Sequence, residues 1–204
     1  HYGRPLDPRQ DLAYAEEIRA LAESPALKGR VRFMGSVPMP ELRSVALGFW
    51  VDVGSRDEPE ELAGASHFLE HLLFKGTPTR GAAEIARAIE GVGGEMNAFT
   101  TREYTAFYVR VLDESLDLAL EILSDVIWSP AFDADEVEAE RQVILEEISM
   151  VEDAPDDLVH EVLAESLYPG HPLGRSTLGT RDTIEQMAGS AIAGYHARHY
   201  QPSR

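Results

Sequence analysis

The 204-residue sequence has no cysteine and only two lysines, Lys28 and Lys75, within a formal net charge of -18. Without cysteine there is neither a disulfide framework nor a thiolate metal site, so any bound metal must use nitrogen and oxygen ligands. The acidic balance argues against non-specific nucleic-acid binding, which needs cationic side chains to displace counterions from phosphates. It suits either simple solubility or the steering of a basic peptide. No apolar run approaches the length that spans a bilayer. The first residues also lack the basic region and apolar stretch of a secretory signal. A cytoplasmic (bacterial) setting is expected, with an organelle matrix as the alternative. What remains is ordinary: 44% apolar and 26% charged residues, in a chain long enough for one sizeable domain around a single core.

Residues 1–28 read as an N-terminal extension, with Leu12, Ala15, Ile18 and Leu21 or Ala22 at helical spacing. From Gly29 the pattern turns β: "RVRFMG" alternates weakly, and "LRSVALGFWVDVGS" reads as a buried strand closed by Gly54 and Ser55. The run from Ala65 to Phe74 is too long and continuous for a strand and reads as a largely buried helix. "RGAAEIARAIEGVGG" is a second helix, with Gly91 placed to end it. "EMNAFTTREYTAFYVRV" alternates and breaks near Thr101–Glu103, as a hairpin does. Helices follow over "DESLDLALEILSDVIWSP", with Asp113 as its cap, then over residues 133–153 and over "DDLVHEVLAESLY". "HPLGRSTLGT" is a loop, and two short helices start near Thr180 and Ser190. Strands come first, with a hairpin in the middle and helices interspersed. That order predicts an α+β layer, with helices packed on one face of a mostly antiparallel mixed sheet.

The stretch "SHFLEHLLFKGT" sets two histidines and a glutamate in an apolar run, where they need partners. With His67 at zero on a helix, Glu70 falls near about 300° and His71 near about 40°, so the three share one face. Two imidazoles at i and i+4 can approach one cation while the carboxylate reaches its open side. This is the His-Glu-x-x-His zinc-peptidase arrangement read backwards. The alternative is a pair of buried histidines bonded to backbone or carboxylate.

A catalytic zinc site typically takes three protein ligands, two histidines and a glutamate being one known set. The helix over 133–153 offers the third. With Val137 at zero, Val137, Ile144, Ile148 and Val151 form one apolar stripe, Glu140 and Glu147 lie at its margin near about 300° and 280°, and Glu146 faces away at about 180°. Glu147 is therefore the better ligand, with Glu140 supporting the site from behind. A solvated acidic flank is the competing explanation. His160, His171, His196 and His199 read as surface or packing residues.

Taken with these motifs, "VGSRDEPEELAGASHFLEHLLFKGT", "GVGGEMNAFTTREYTAFYVRV", "AERQVILEEISMVEDAPDD" and "HPLGRSTLGT" make the chain resemble the pitrilysin–insulysin–mitochondrial processing peptidase family. It is most similar to the N-terminal half of that family's short bacterial processing-peptidase-like members, from about Arg43 onward. The resemblance implies a processing-peptidase-like α+β fold and one zinc ion held by His67, His71 and Glu147. It also implies Glu70 as general base, Glu140 as accessory acid, and Asn97, Ala98 and Phe99 on a strand that holds an extended peptide. Residues 29–204 would then be an N-terminal zinc-binding peptidase domain. Its partners would be a peptide substrate and a second homologous half or partner subunit, in a homo- or heterodimer. The chain ends at "YHARHYQPSR" without that half, and "LKGRVRFMGSVPMP" is an imperfect opening strand. The expectation is zinc binding with weak or absent peptidase activity for these residues alone. A non-catalytic scaffold subunit is the rival, and the intact ligand set counts against it.

Overall fold

The computed structural model describes residues 43–201, so the expected N-terminal helix and the strand at "RVRFMG" lie outside the described residues. Three strands form an antiparallel sheet in the order β1-β3-β2: β1 Ser44–Val51, β2 Glu95–Thr100 and β3 Thr105–Leu112. Register is fixed by the two-residue alternation. Phe49 opposes Phe107, Leu47 opposes Val109, and on the other side of β3 Ala98 opposes Phe107. These side chains all point to one face, where they enter the core with helix side chains. A slip of one residue would turn that whole set to solvent.

Among the described residues seven α-helices are interspersed with and follow the strands: α1 Ala65–Leu73, α2 Ala82–Glu90, α3 Leu116–Trp128, α4 Ala134–Asp153, α5 Pro155–Leu167, α6 Arg181–Gln186 and α7 Gly189–His199. At nine residues α1 is too short to persist alone. Packing holds it: Phe68, Leu69, Leu72 and Leu73 are all buried, each worth roughly 1.5–3 kcal/mol of transfer free energy. The start of α1 is fixed by backbone crowding. Gly64 has φ 96°, and a Cβ there would sit 2.6 Å from the Leu178 carbonyl oxygen. Opposite it Gly179 has φ 75° and would meet the Ala63 carbonyl. Only glycine fits at either place, so "STLGT" is clamped against the entry to α1.

One local expectation differs from what is observed. Asp113 does not cap α3: it opens a 3-10 turn, Asp113–Ser115, and the helix begins at Leu116. The turn uses the residues that a cap would have needed in extended conformation. Gly91 ends α2 as expected, in right-handed conformation, and the left-handed residue is Gly93, with φ 72°. Pro155 starts α5 as its first residue, a position where its fixed φ and missing N–H cost nothing.

A candidate metal centre between two helices

Helix α1 presents its polar side to α4. His67, Glu70 and His71 are half-buried on the face that Phe68, Leu69, Leu72 and Leu73 leave free. On α4 the residues Val137, Ile144 and Ile148 are buried together with Glu140 and Arg141, while Glu146 is exposed and Glu147 half-buried. Arg141 locks the two helices in register: its guanidinium lies 5.5 Å from the centre of the Phe68 ring and donates to the Ile184 carbonyl and to Glu138. Because α4 is held this way, residues two turns apart on it face α1 at successive heights.

Glu147 Oε2 lies 3.6 Å from His67 Nε2 and 3.6 Å from His71 Nε2. The imidazole rings stand 4.6 Å apart, centre to centre. At 3.6 Å no hydrogen bond is made, and Glu147 Oε2 is buried with no hydrogen-bond partner. An orphaned buried carboxylate oxygen is costly. Ligand atoms about 2.0–2.1 Å from a tetrahedral zinc are separated by roughly 3.3 Å, so three donors at this spacing suit a shared cation far better than one another. Nitrogen and oxygen donors are also what a cysteine-free zinc site requires. His67, His71 and Glu147 form the one group of this kind among the described residues.

The electrostatics favour ligand over ion pair. Burial pushes His67 down to about 4, with the neighbouring His71 adding to the effect, so its imidazole is neutral and free to ligate near pH 7. Burial raises the Glu70 carboxyl above the usual range. The Thr100 hydroxyl and the charge of His71 pull against this, and Glu147 adds to it. At Glu140, burial alone would raise the carboxyl, but hydrogen bonds and charge from Lys75 and His71 outweigh it and hold it below the ordinary value. Glu140 Oε2 lies 2.9 Å from His71 Nδ1, as expected for a bond that leaves Nε2 pointing at Glu147.

The structure therefore brings His67, Glu70, His71, Glu140 and Glu147 to one place. Asn97, Ala98 and Phe99 lie on β2, which packs against α1; the Thr100 hydroxyl reaches the Ser66 carbonyl at 3.4 Å. Among the described residues β2 pairs only with β3, so its other edge is open. Asn97 Oδ1 accepts from the Ala98 N–H at 2.8 Å. Phe99 is partly exposed beside Tyr104 and Tyr108. The spare histidines lie elsewhere: His160 and His171 are exposed, His199 packs at a tilt against Tyr195, and His196 bonds the Ile127 carbonyl at 2.7 Å.

Sequence reasoning passed over three residues. Lys75 lies four residues past His71, the spacing of a helical neighbour, and pairs with Glu140. Thr100 follows the three strand residues singled out. Glu58 is buried ahead of α1 and accepts from the Gly64 and Ser66 N–H groups at 2.7 Å each; nothing in its spacing marks it, because its partners are backbone.

The family profile described as "Insulinase (Peptidase family M16)" matches residues 36–181. The chain belongs to this family. It is 47% identical over 165 residues to the uncharacterized zinc protease YmxG of Bacillus subtilis (strain 168), covering 81% of this chain and 40% of that protein. It is likewise 47% identical over 166 residues to the uncharacterized zinc protease ML0855 of Mycobacterium leprae (strain TN), covering 81% and 37%. The chain thus spans about two fifths of the length of these M16 relatives. Among solved structures, a protease from Helicobacter pylori superposes with a TM-score of 0.76 at 29% identity, covering 78% of this chain and 39% of that one. Pitrilysin superposes at 0.70 and 28%, covering 81% and 18%. An M16 domain from Pseudomonas fluorescens described as inactive superposes at 0.73 and 21%, a likeness of fold alone. No described helix is long and apolar enough to cross a membrane.

Proposed function

We propose that this chain is the metal-bearing domain of a zinc metalloendopeptidase that cleaves extended peptides or presequences. The observation that carries the reading is the convergence of His67 Nε2, His71 Nε2 and Glu147 Oε2, with Glu70 beside them and an open strand edge next to it. His67, His71 and Glu147 would hold zinc, with Glu140 orienting His71 from behind. Bound zinc supplies Lewis acidity, which makes water a nucleophile at neutral pH. Glu70 takes the proton from the attacking water and passes it to the leaving amine; a carboxyl raised by burial suits both roles. The edge of β2 at Asn97–Phe99 receives the peptide as an added strand, which accepts varied sequences because main-chain groups make the bonds. An incoming carbonyl would take the Ala98 N–H now met by Asn97.

Residues 29–204 form the domain in this reading and 1–28 an extension of it. The rest of the relatives' length, or a partner subunit, completes the substrate site. Support comes from the relatives named zinc proteases and from the two-fifths coverage. The test is Glu70→Gln, with peptide turnover and zinc content measured on this chain alone and joined to the remaining length. The expected result is retained zinc, turnover only in the longer protein, and a loss of at least about 100-fold in the variant. Zinc binding without turnover even in the longer protein would remove the peptidase assignment and leave a binding subunit, and turnover unchanged by Glu70→Gln would remove Glu70 as the base.

A further inference from the structure

Behind His71 the hydrogen bonding continues. Glu140 Oε2 meets His71 Nδ1 at 2.9 Å, and the other oxygen of the same carboxylate, Oε1, lies 2.5 Å from Lys75 Nζ. Lys75 follows directly on α1, one turn past His71, with its N–H bonded to the Leu72 carbonyl at 3.0 Å. A cation there is favoured by the carboxyl end of the helix. Glu140 is buried and Lys75 about two-thirds so, by side-chain exposures of 8% and 34%. The pair is therefore shielded from the solvent that makes surface pairs weak.

His67 lacks such backing: its Nδ1 is buried with no hydrogen-bond partner. Of the two imidazoles only His71 is tied through a carboxylate to a fixed positive charge. The choice of cation is informative too. The chain carries 18 lysines and arginines, of which just two are lysine, and one of the two stands here. An ammonium is a compact donor that grips one oxygen, whereas the planar guanidinium fork takes both oxygens of a carboxylate. At this position an arginine would compete with His71 for Oε2.

We propose that Lys75 is a positioning residue of the metal centre, holding Glu140 by one oxygen so that the other fixes His71 with its proton on Nδ1 and its Nε2 lone pair toward Glu147. Glu140 is thereby kept from turning away or seeking another donor, and His71 is held in the single tautomer that can ligate. The inference rests on the zinc-site reading, and it concerns an interaction present before any metal arrives. Partners at this remove commonly shift metal affinity by about 10- to 100-fold.

The experiment compares the 204-residue chain with Lys75→Met, Lys75→Gln, Glu140→Ala and the Lys75→Met/Glu140→Ala double variant. Zinc affinity is read by chelator competition, and the tautomer of His71 in the metal-free proteins by long-range ¹H–¹⁵N spectra. Both lysine variants are expected to bind zinc at least about tenfold more weakly and to show His71 redistributed between tautomers. In the Glu140→Ala background Lys75→Met should change neither reading. Unchanged affinity and tautomer in both lysine variants would overturn the proposal, as would an equal loss with and without Glu140. If the unaltered chain binds no zinc, the zinc-site reading fails by itself, and the tautomer spectra still decide the role of Lys75.

Discussion

The two ends of helix α1 are each fastened by a buried glutamate, and the two glutamates behave in opposite ways. At the amino end Glu58, 3% exposed, accepts two backbone N–H groups from Gly64 and Ser66. At the carboxyl end Glu140, 6% exposed, faces Lys75 and His71. Burial pushes Glu58 up to about 7 against the pull of those amides and the more distant Arg175, whereas Glu140 is held below the ordinary carboxylate value. Both are little exposed, but Glu58 is the more deeply enclosed and meets the larger desolvation. The compensation differs as well: oriented backbone dipoles at one end, a full cation in direct contact at the other. One end is built to hold the helix and the other to hold a charge.

The sharpest way to break this comparison is to remove each carboxylate. Glu58→Ala strands two buried N–H donors, each costing about 1–3 kcal/mol, so the metal-free chain should lose at least about 2 kcal/mol. Its zinc affinity per folded molecule should stay near the unaltered value. Glu140→Ala should invert the pattern, with zinc affinity reduced by about 10- to 100-fold. Urea unfolding in chelator and zinc titration of the folded fraction measure the two effects separately. Both variants falling on one line, with stability and affinity lost in proportion, would mean that the two ends do not divide the work.

A smaller effect sharpens the same contrast through pH. The folded-state value of Glu58, about 7, lies above its ordinary 4.5. Its contribution is therefore fully present below pH 4.5 and is lost as pH rises through about 7, because the unfolded chain gives up the proton first. Glu58→Gln removes that titration. The stability of the variant relative to the unaltered chain should climb between pH 4.5 and 7 and then level off. At roughly 1.4 kcal/mol per pH unit, the climb is at most about 3.5 kcal/mol. A flat difference across that window would place Glu58 among ordinary ionised carboxylates.

How much of this was legible in the sequence depends on which kind of partner each residue has. His67, Glu70 and His71 could be placed on one face because helical rotation alone decides it. Glu147 could be chosen over Glu146 because the apolar stripe of α4 orients that helix. The α+β layer followed from alternation and the hairpin, and the observed sheet has that form. Glu58 left no trace, since the groups it serves are backbone amides that every residue possesses. Lys75 was visible as a neighbour of His71, but its real partner lies 65 positions further along the chain, and no local period connects them. The capping role expected of Asp113 failed for a related reason. Asp at a helix entry signals a cap or a turn equally well, and here the 3-10 turn took it.

The smallest expected effect concerns a pair that resembles Lys75–Glu140 only on paper. Arg110 on β3 lies 3.1 Å from Glu95, opposite it on β2, with side chains 62% and 58% exposed. Here water competes for both charges, salt screens them, and two long side chains lose rotamer freedom to meet. Arg110→Ala should therefore change unfolding stability by less than about 1 kcal/mol, fading further as salt is raised, with no change in zinc affinity. Lys75→Met removes a contact of the same chemical type and should act mainly on the metal. If Arg110→Ala weakened zinc binding as strongly, the influence on the centre would be general charge felt across an acidic surface. A null result at Arg110 beside a loss at Lys75 assigns it instead to one ammonium in contact with one buried oxygen.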